Sequence, residues 1–213
     1  MVLSASTEAR IAGLYAITRS GDPNVVAAAE QALAGGARLL QYREKGVDAA
    51  ARAAIARALR DLCARHGAVF VVNDDLELAA ALGCGVHLGR EDAELAAARA
   101  RLGPSATIGL SCYNDLARAE RAERAGASYV AFGAAFPSRT KPGAVRAELS
   151  LYHAARARLA LPIVAIGGIT PDNAPLLIDA GVDAVAVIEG VFGAGDTAID
   201  QAAAHYARLF DPP

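Results

Sequence analysis

The chain has 213 residues, 54% of them hydrophobic, and a formal net charge of -2, which is enough to bury one large core and sits at the lower end of the size range for a one-domain barrel of alternating strands and helices. The near-neutral balance gives no basic footprint for nucleic acid, and the apolar runs are too short to cross a bilayer. No charged segment followed by an apolar core opens the sequence, so the expectation is a cytoplasmic protein with no membrane and no nucleic-acid partner. Cys63, Cys84 and Cys112 are odd in number, far apart and without zinc spacing; they read as free, mostly buried thiols.

Residues 1–12 read as an N-terminal extension. Beyond them, eight short β-like runs (13–18, 39–42, 69–72, 85–88, 107–110, 129–132, 163–166 and 184–188) alternate with alanine-rich helical stretches. Asp22-Pro23 and Thr170-Pro171-Asp172-Asn173 carry the start signals of helices, a capping side chain with proline in the first turn. Gly36, Gly83, Gly126 and Gly181 stand where helices should stop, each shortly before the next strand. Apolar strands alternating with helices predict a parallel sheet covered by helices. Eight such units in this length favour a single (β/α)8 TIM barrel over an open doubly wound sheet. The first strand also leads into Ile17-Thr18-Arg19-Ser20-Gly21-Asp22, which lacks the glycine fingerprint of a dinucleotide fold.

In such a barrel chemistry gathers where strands end, and the polar residues stand there. The second strand runs into Gln41-Tyr42-Arg43-Glu44-Lys45, the third into Asn73-Asp74-Asp75, the fourth into His87 and on to Asp92, and the fifth into Ser111-Cys112-Tyr113-Asn114. The sixth leads into Phe136-Pro137-Ser138-Arg139-Thr140-Lys141-Pro142-Gly143, a loop with hydroxyls, cations, prolines and a glycine that suits a phosphate. Gly167-Gly168 follow the seventh strand, and the eighth ends at Ile188 and runs into Glu189, the region where barrels often hold phosphate.

Each cluster also has a plainer role open to it. Gln41 to Lys45 can be a charged loop, the octet around Arg139 a solvated basic turn, and Asn73, Asp74 or Asp92 a helix cap. His87 reads as a barrel-wall residue before it reads as a catalyst. Carboxylates at the ends of adjacent strands repel unless a cation lies between them, and one or two carboxylates plus substrate phosphates is how proteins usually hold Mg²⁺. Asp74 and Asp92 are therefore a candidate magnesium pair.

The series Gln-x-Arg-Glu-Lys, Asn-Asp, His-Leu-Gly-x-Glu-Asp, Gly-x-Ser, Phe-Gly-x-x-Phe-Pro-Ser-x-Thr-Lys-Pro-Gly and Ala-Ile-Gly-Gly-Ile-Thr-Pro-Asp-Asn resembles the thiamine phosphate synthase family from Leu14 to about Asp196. The resemblance implies a Mg²⁺-dependent transferase of small phosphorylated substrates that joins hydroxymethylpyrimidine diphosphate to a thiazole phosphate, usually carboxylated, by a dissociative route. It places the pyrimidine diphosphate on Gln41, Tyr42, Arg43, Glu44, Lys45, Asn73, Ser111 and Lys141, with Arg43, Lys45, Ser111 and Lys141 carrying the chemistry. Magnesium falls on Asp74 and Asp92, and the thiazole phosphate on Ser138, Arg139, Thr140, Gly168, Ile188 and Glu189. A homo-oligomer is compatible with this reading. Two residues depart from the family pattern: Tyr42 replaces a usual leucine, and Glu189 a usual serine beside the phosphate. The rival readings are a thiazole tautomerase, which generally lacks the second magnesium carboxylate and the full diphosphate-binding set, and a non-catalytic phosphate-binding barrel.

Overall fold

The computed structural model describes residues 11–89, 92–137, 145–193, 195 and 197–210, with the side chains of 92–94 outside the described set. Eight parallel strands close on themselves in chain order: β1 (Gly13–Ile17), β2 (Leu39–Tyr42), β3 (Val69–Asn73), β4 (Gly85–Leu88), β5 (Ile108–Tyr113), β6 (Tyr129–Gly133), β7 (Ile163–Ile166) and β8 (Ala184–Val187). Closure is made by β1 against β8, with Leu14 opposite Val185 and Ala16 opposite Val187. The helices α1 (Val25–Ala34), α2 (Ala49–Arg65), α3 (Leu76–Leu82), α4 (Asp92–Leu102), α5 (Leu116–Arg124), α6 (Leu149–Arg158), α7 (Ala174–Asp179), α8 (Glu189–Phe192) and α9 (Ile199–Ala207) complete a (β/α)8 barrel.

Strand alternation divides the core in two. Outward residues such as Leu14, Leu40, Val72, Val86, Leu110 and Val185 join the apolar faces of the helices in one large cluster. Inward residues such as Tyr15, Leu39, Val71, Tyr129, Val164 and Ala186 fill the barrel itself. Alanine lets helices approach closely: Gly35 and Gly36 of the turn after α1 lie against Asp200, Ala203 and Ala207, so that a Cβ on either glycine would collide with α9. The helix stops behave as expected from their glycines, with Gly83 ending α3 in the left-handed region at φ 61°.

The helix starts lie later than the sequence suggested. α1 begins after Asn24, and the Asp22 carboxylate accepts from the Asn24 amide at 2.8 Å in the turn before it. Thr170 to Asn173 likewise form a turn, Thr170 N–H donating to Asn173 Oδ1 at 2.8 Å, and α7 begins at Ala174. In both places the short polar side chain satisfies a backbone amide before the helix instead of within its first turn. Thr18 lies just past β1, not within it, although its amide still donates to Gln41 O at 3.0 Å.

Candidate active site

The C-terminal strand ends carry Gln41, Asn73, Ser111, Gly168, Ile188 and Glu189 to one mouth, with Arg43, Glu44 and Lys45 on the loop after β2. That loop is held from two sides. The buried Thr18 hydroxyl accepts from the Arg43 amide at 3.0 Å. The Glu44 carboxylate accepts from Ser20 Oγ (2.6 Å) and from the amides of Gly21 (2.7 Å), Lys45 (2.7 Å) and Gly46 (2.6 Å). These donors, led by the Gly21 amide and Ser20, pull the Glu44 carboxyl down to about 2.

Two members of the expected diphosphate set are thereby corrected. Glu44 spends its oxygens on the loop, so its work is to fix the backbone from which Arg43 and Lys45 project. Tyr42 is 3% exposed and packs in the layer between strands and helices, because it is the outward residue of the β2 alternation. Its hydroxyl is buried without a hydrogen-bond partner among the described residues, and burial pushes its pKa up to about 12.

At the end of β3, Asp75 and not Asn73 or Asp74 caps α3, accepting from the Leu78 amide at 3.0 Å. Asp74 is left for other work. It has φ 61°, a left-handed conformation that costs a non-glycine residue about 1 kcal/mol or more and that concentrates at functional sites. Its amide donates to His87 O at 2.9 Å, its Oδ2 accepts from Asn73 Nδ2 at 2.7 Å, and its Oδ1 lies 3.6 Å from where a Cβ on Gly89 would stand. The carboxylate therefore leans toward the β4 end, whose loop leads to Asp92 at the start of α4. A hard oxygen donor in this place suits Mg²⁺, which takes few protein ligands and keeps water and phosphate oxygens. No cluster of three or more His, Cys, Asp or Glu side chains able to hold a metal occurs among the described residues.

The barrel interior holds a continuous hydrogen-bond chain that the sequence reading missed. Gln41 Nε2 donates to Tyr15 OH at 2.7 Å, Tyr15 OH meets Tyr129 OH at 2.8 Å, Tyr129 OH meets His87 Nδ1 at 2.9 Å, and His87 Nε2 meets Ser111 Oγ at 2.9 Å. The rings are fixed by packing, Tyr15 edge-on to Tyr129 and His87 stacked on it. Gly109 makes room for this, since a Cβ there would strike the Tyr129 ring. Desolvation lowers the His87 pKa to about 4 and raises those of both tyrosines, so the imidazole is neutral and both phenols keep their protons. His87 is thus a wall residue with a partner on each nitrogen. Buried tyrosine hydroxyls at inward strand positions were the available signal, because such groups need partners.

Two arginines were also missed. Arg118, 8% exposed on α5, donates from Nε to Ser111 O (2.9 Å) and from Nη2 to Gly89 O (2.9 Å), tying the β4 and β5 ends together beneath the mouth. Arg19 pairs with Glu189, Nε to Oε1 at 3.3 Å, and donates to Phe192 O at 3.3 Å. The acidic substitution beside the expected phosphate site therefore has a cation on it.

On the phosphate side, the loop after β6 crosses the end of β7. Ala135 N–H donates to Ile166 O and Phe136 N–H to Gly167 O, both at 2.9 Å. Gly168, at φ 65°, lies directly under Phe136 and Pro137, where any Cβ would collide with their carbonyls. Asn173 Nδ2 holds Gly168 O at 3.0 Å. Ser138, Arg139, Thr140 and Lys141, and the Asp92 side chain, lie outside the described residues.

Residues 14–191 match the family model described as thiamine monophosphate synthase. The chain is 57% identical over 192 residues to the thiamine-phosphate synthase of Chromobacterium violaceum, covering 89% of this chain and 92% of that one. It is 55% identical over 194 residues to that of Thioalkalivibrio sulfidiphilus, with 89% and 92% covered. Among solved structures, thiamine phosphate pyrophosphorylase from Pyrococcus furiosus superimposes with a TM-score of 0.83 at 34% identity, covering 93% of this chain and 95% of that one. With the barrel, the strand-end residues and these likenesses together, the chain belongs to the thiamine monophosphate synthase family.

Proposed function

We propose that this transferase is a thiamine-phosphate synthase that condenses hydroxymethylpyrimidine diphosphate with a thiazole phosphate, carboxylated or plain, releasing pyrophosphate, with CO₂ lost from the carboxylated substrate. The observation that carries the reading is the convergence of Gln41, Arg43, Asn73, Asp74 and Ser111 on one side of the mouth and Gly168, Ile188 and Glu189 on the other. A tautomerase has no need of a diphosphate site, and a passive phosphate binder has no need of two sites facing each other.

In the proposed reaction the bond from the pyrimidine methylene to the diphosphate oxygen breaks, and its electron pair leaves with pyrophosphate. Arg43, Lys45 and Lys141 stabilise the charge that grows on the leaving group, a contact that strengthens in the transition state. Mg²⁺, held by Asp74 and Asp92 when bound, supplies further neutralisation of the diphosphate. Gln41, Asn73 and Ser111 hold the pyrimidine while its ring delocalises the methylene cation. The thiazole nitrogen, placed by Ser138, Arg139, Thr140, Gly168 and the Ile188-Glu189 turn, gives its lone pair to that carbon; with the carboxylated substrate the ring C–CO₂ bond then breaks, its electron pair stays on the ring carbon, and that carbon takes a proton from water. No proton relay to a nucleophile is needed, in keeping with a neutral, buried His87.

The test is pyrophosphate release by the purified protein, with and without thiazole phosphate and with and without Mg²⁺. Release that depends on both supports the reading. Binding of both substrates without turnover would replace it with a non-catalytic barrel, and isomerisation of the carboxylated thiazole without pyrophosphate release would replace it with the tautomerase.

A further inference from the structure

The interior chain has a direction. It contains four hydrogen bonds and five donor groups, the Gln41 amide, the Tyr15 phenol, the Tyr129 phenol, the neutral His87 ring and the Ser111 hydroxyl, so one proton is spare. Gln41 Nε2 can only donate, so Tyr15 must pass its proton toward Tyr129 and Tyr129 toward His87 Nδ1. His87 is then the Nε2–H tautomer and donates to Ser111 Oγ. Any other arrangement leaves a buried tyrosine proton without an acceptor or crowds two protons into one bond, inside a barrel where Tyr15 and Tyr129 are 1% and 0% exposed, so the spare proton is the one on Ser111.

We infer that Tyr15, Tyr129 and His87 are positioning residues that polarise the barrel interior from Gln41 to Ser111. Because Ser111 Oγ accepts from His87, its own proton is left to donate into the mouth. Because Gln41 spends Nε2 on Tyr15, its Oε1 is left to accept there. Two residues on different strands, β2 and β5, thus reach the mouth with opposite hydrogen-bonding character set before any ligand arrives, which lowers the cost of orienting one. The same tautomer logic orients imidazoles that serve other groups. The inference of a catalytic consequence rests on the proposed function; the tautomer does not.

Selective ¹⁵N-histidine labelling tests it, with His87 assigned by loss of its signals in His87→Gln. The wild-type protein at neutral pH should show a neutral Nε2–H ring at position 87. Gln41→Glu, measured above the titration of its carboxyl as read from the ¹³C shift, replaces a donor by an acceptor and should reverse every bond, giving Nδ1–H. An Nδ1–H ring or an imidazolium in the wild type would overturn the inference, as would an unchanged tautomer in Gln41→Glu with that carboxyl ionised. In the second arm, Tyr129→Phe, shown folded by its melting curve, should lower kcat/KM for the pyrimidine diphosphate about tenfold while leaving KM for the thiazole phosphate unchanged. Equal losses for both substrates would make Tyr129 a merely structural residue. An inactive wild type with the Nε2–H tautomer would sink the proposed function and leave the polarised chain standing.

Discussion

Removing Arg19 should weaken the thiazole phosphate while sparing the pyrimidine diphosphate. The Arg19 and Glu189 side chains are 48% and 52% exposed and meet at 3.3 Å. At that distance two charges attract by about 1.3 kcal/mol in the dielectric of bulk water, and exposed pairs are measured at roughly 0.2 to 1 kcal/mol once entropy and salt are counted. The pair therefore matters little for stability, and Arg19→Ala should fold normally. Its effect falls on the ligand, because Glu189 then stands unneutralised beside a bound phosphate. At about 6 Å and an effective dielectric near 60 the repulsion is about 0.9 kcal/mol per phosphate charge, or roughly fivefold in affinity. Glu189→Ser should shift affinity the other way by a similar factor, since it frees Arg19, and the double variant should return near the wild type. Calorimetric titration of each variant at low and physiological salt reads all three numbers. Unchanged thiazole phosphate affinity in Arg19→Ala, at low salt where screening is weakest, would show that neither charge faces the ligand.

Three further outcomes are expected. Tyr42→Phe removes a buried hydroxyl that has no partner among the described residues, and should raise stability by about 1 kcal/mol in urea unfolding without changing kinetics; a loss of stability would mean that the hydroxyl is satisfied. His87 is held at about 4 against an ordinary 6.5, so its contribution is complete above pH 6.5 and disappears as pH falls through 4. Over that window it amounts to about 3 kcal/mol at most, and a wild type and His87→Gln with parallel stability curves from pH 7 to 4 would refute it. Asp74→Asn should cut turnover at least a hundredfold at fixed Mg²⁺ with little loss of stability, because a left-handed residue tolerates asparagine; full activity would remove Asp74 from the metal site.

Strands were legible because each is a short apolar run closed by polar residues, and the mouth was legible because those closing residues are charged or amidic. Helix starts were less so: Asp22 and Asn173 have capping side chains but use them in the preceding turns. Glu44 looked like a ligand residue because its chemistry is the same whether it meets a substrate or the amides of Gly21, Lys45 and Gly46; only the folded loop separates the two. Tyr15 with Tyr129, and Arg19 with Glu189, are partners brought together by barrel closure across most of the chain, and no local pattern joins them. Tyr42 was assigned to the diphosphate set although strand alternation turns it outward, away from the barrel interior that its neighbour Gln41 faces.

The pairing of β1 with β8 and the seating of the α1 turn on α9 also bear on how the chain is made. During synthesis the first strand leaves the ribosome with one edge that no later segment covers until the last strand emerges. A parallel edge left open so long is a template for other chains, and its closure by contacts remote in sequence is slow. Nascent chains stalled before β8 therefore carry two raw edges and a bare α1 turn, whereas emergence of β8 closes the edges and α9 then covers the turn. The C-terminal helix is in this sense the fastener of the barrel, and truncations that remove it should yield insoluble protein even though every residue at the mouth up to Glu189 is still present.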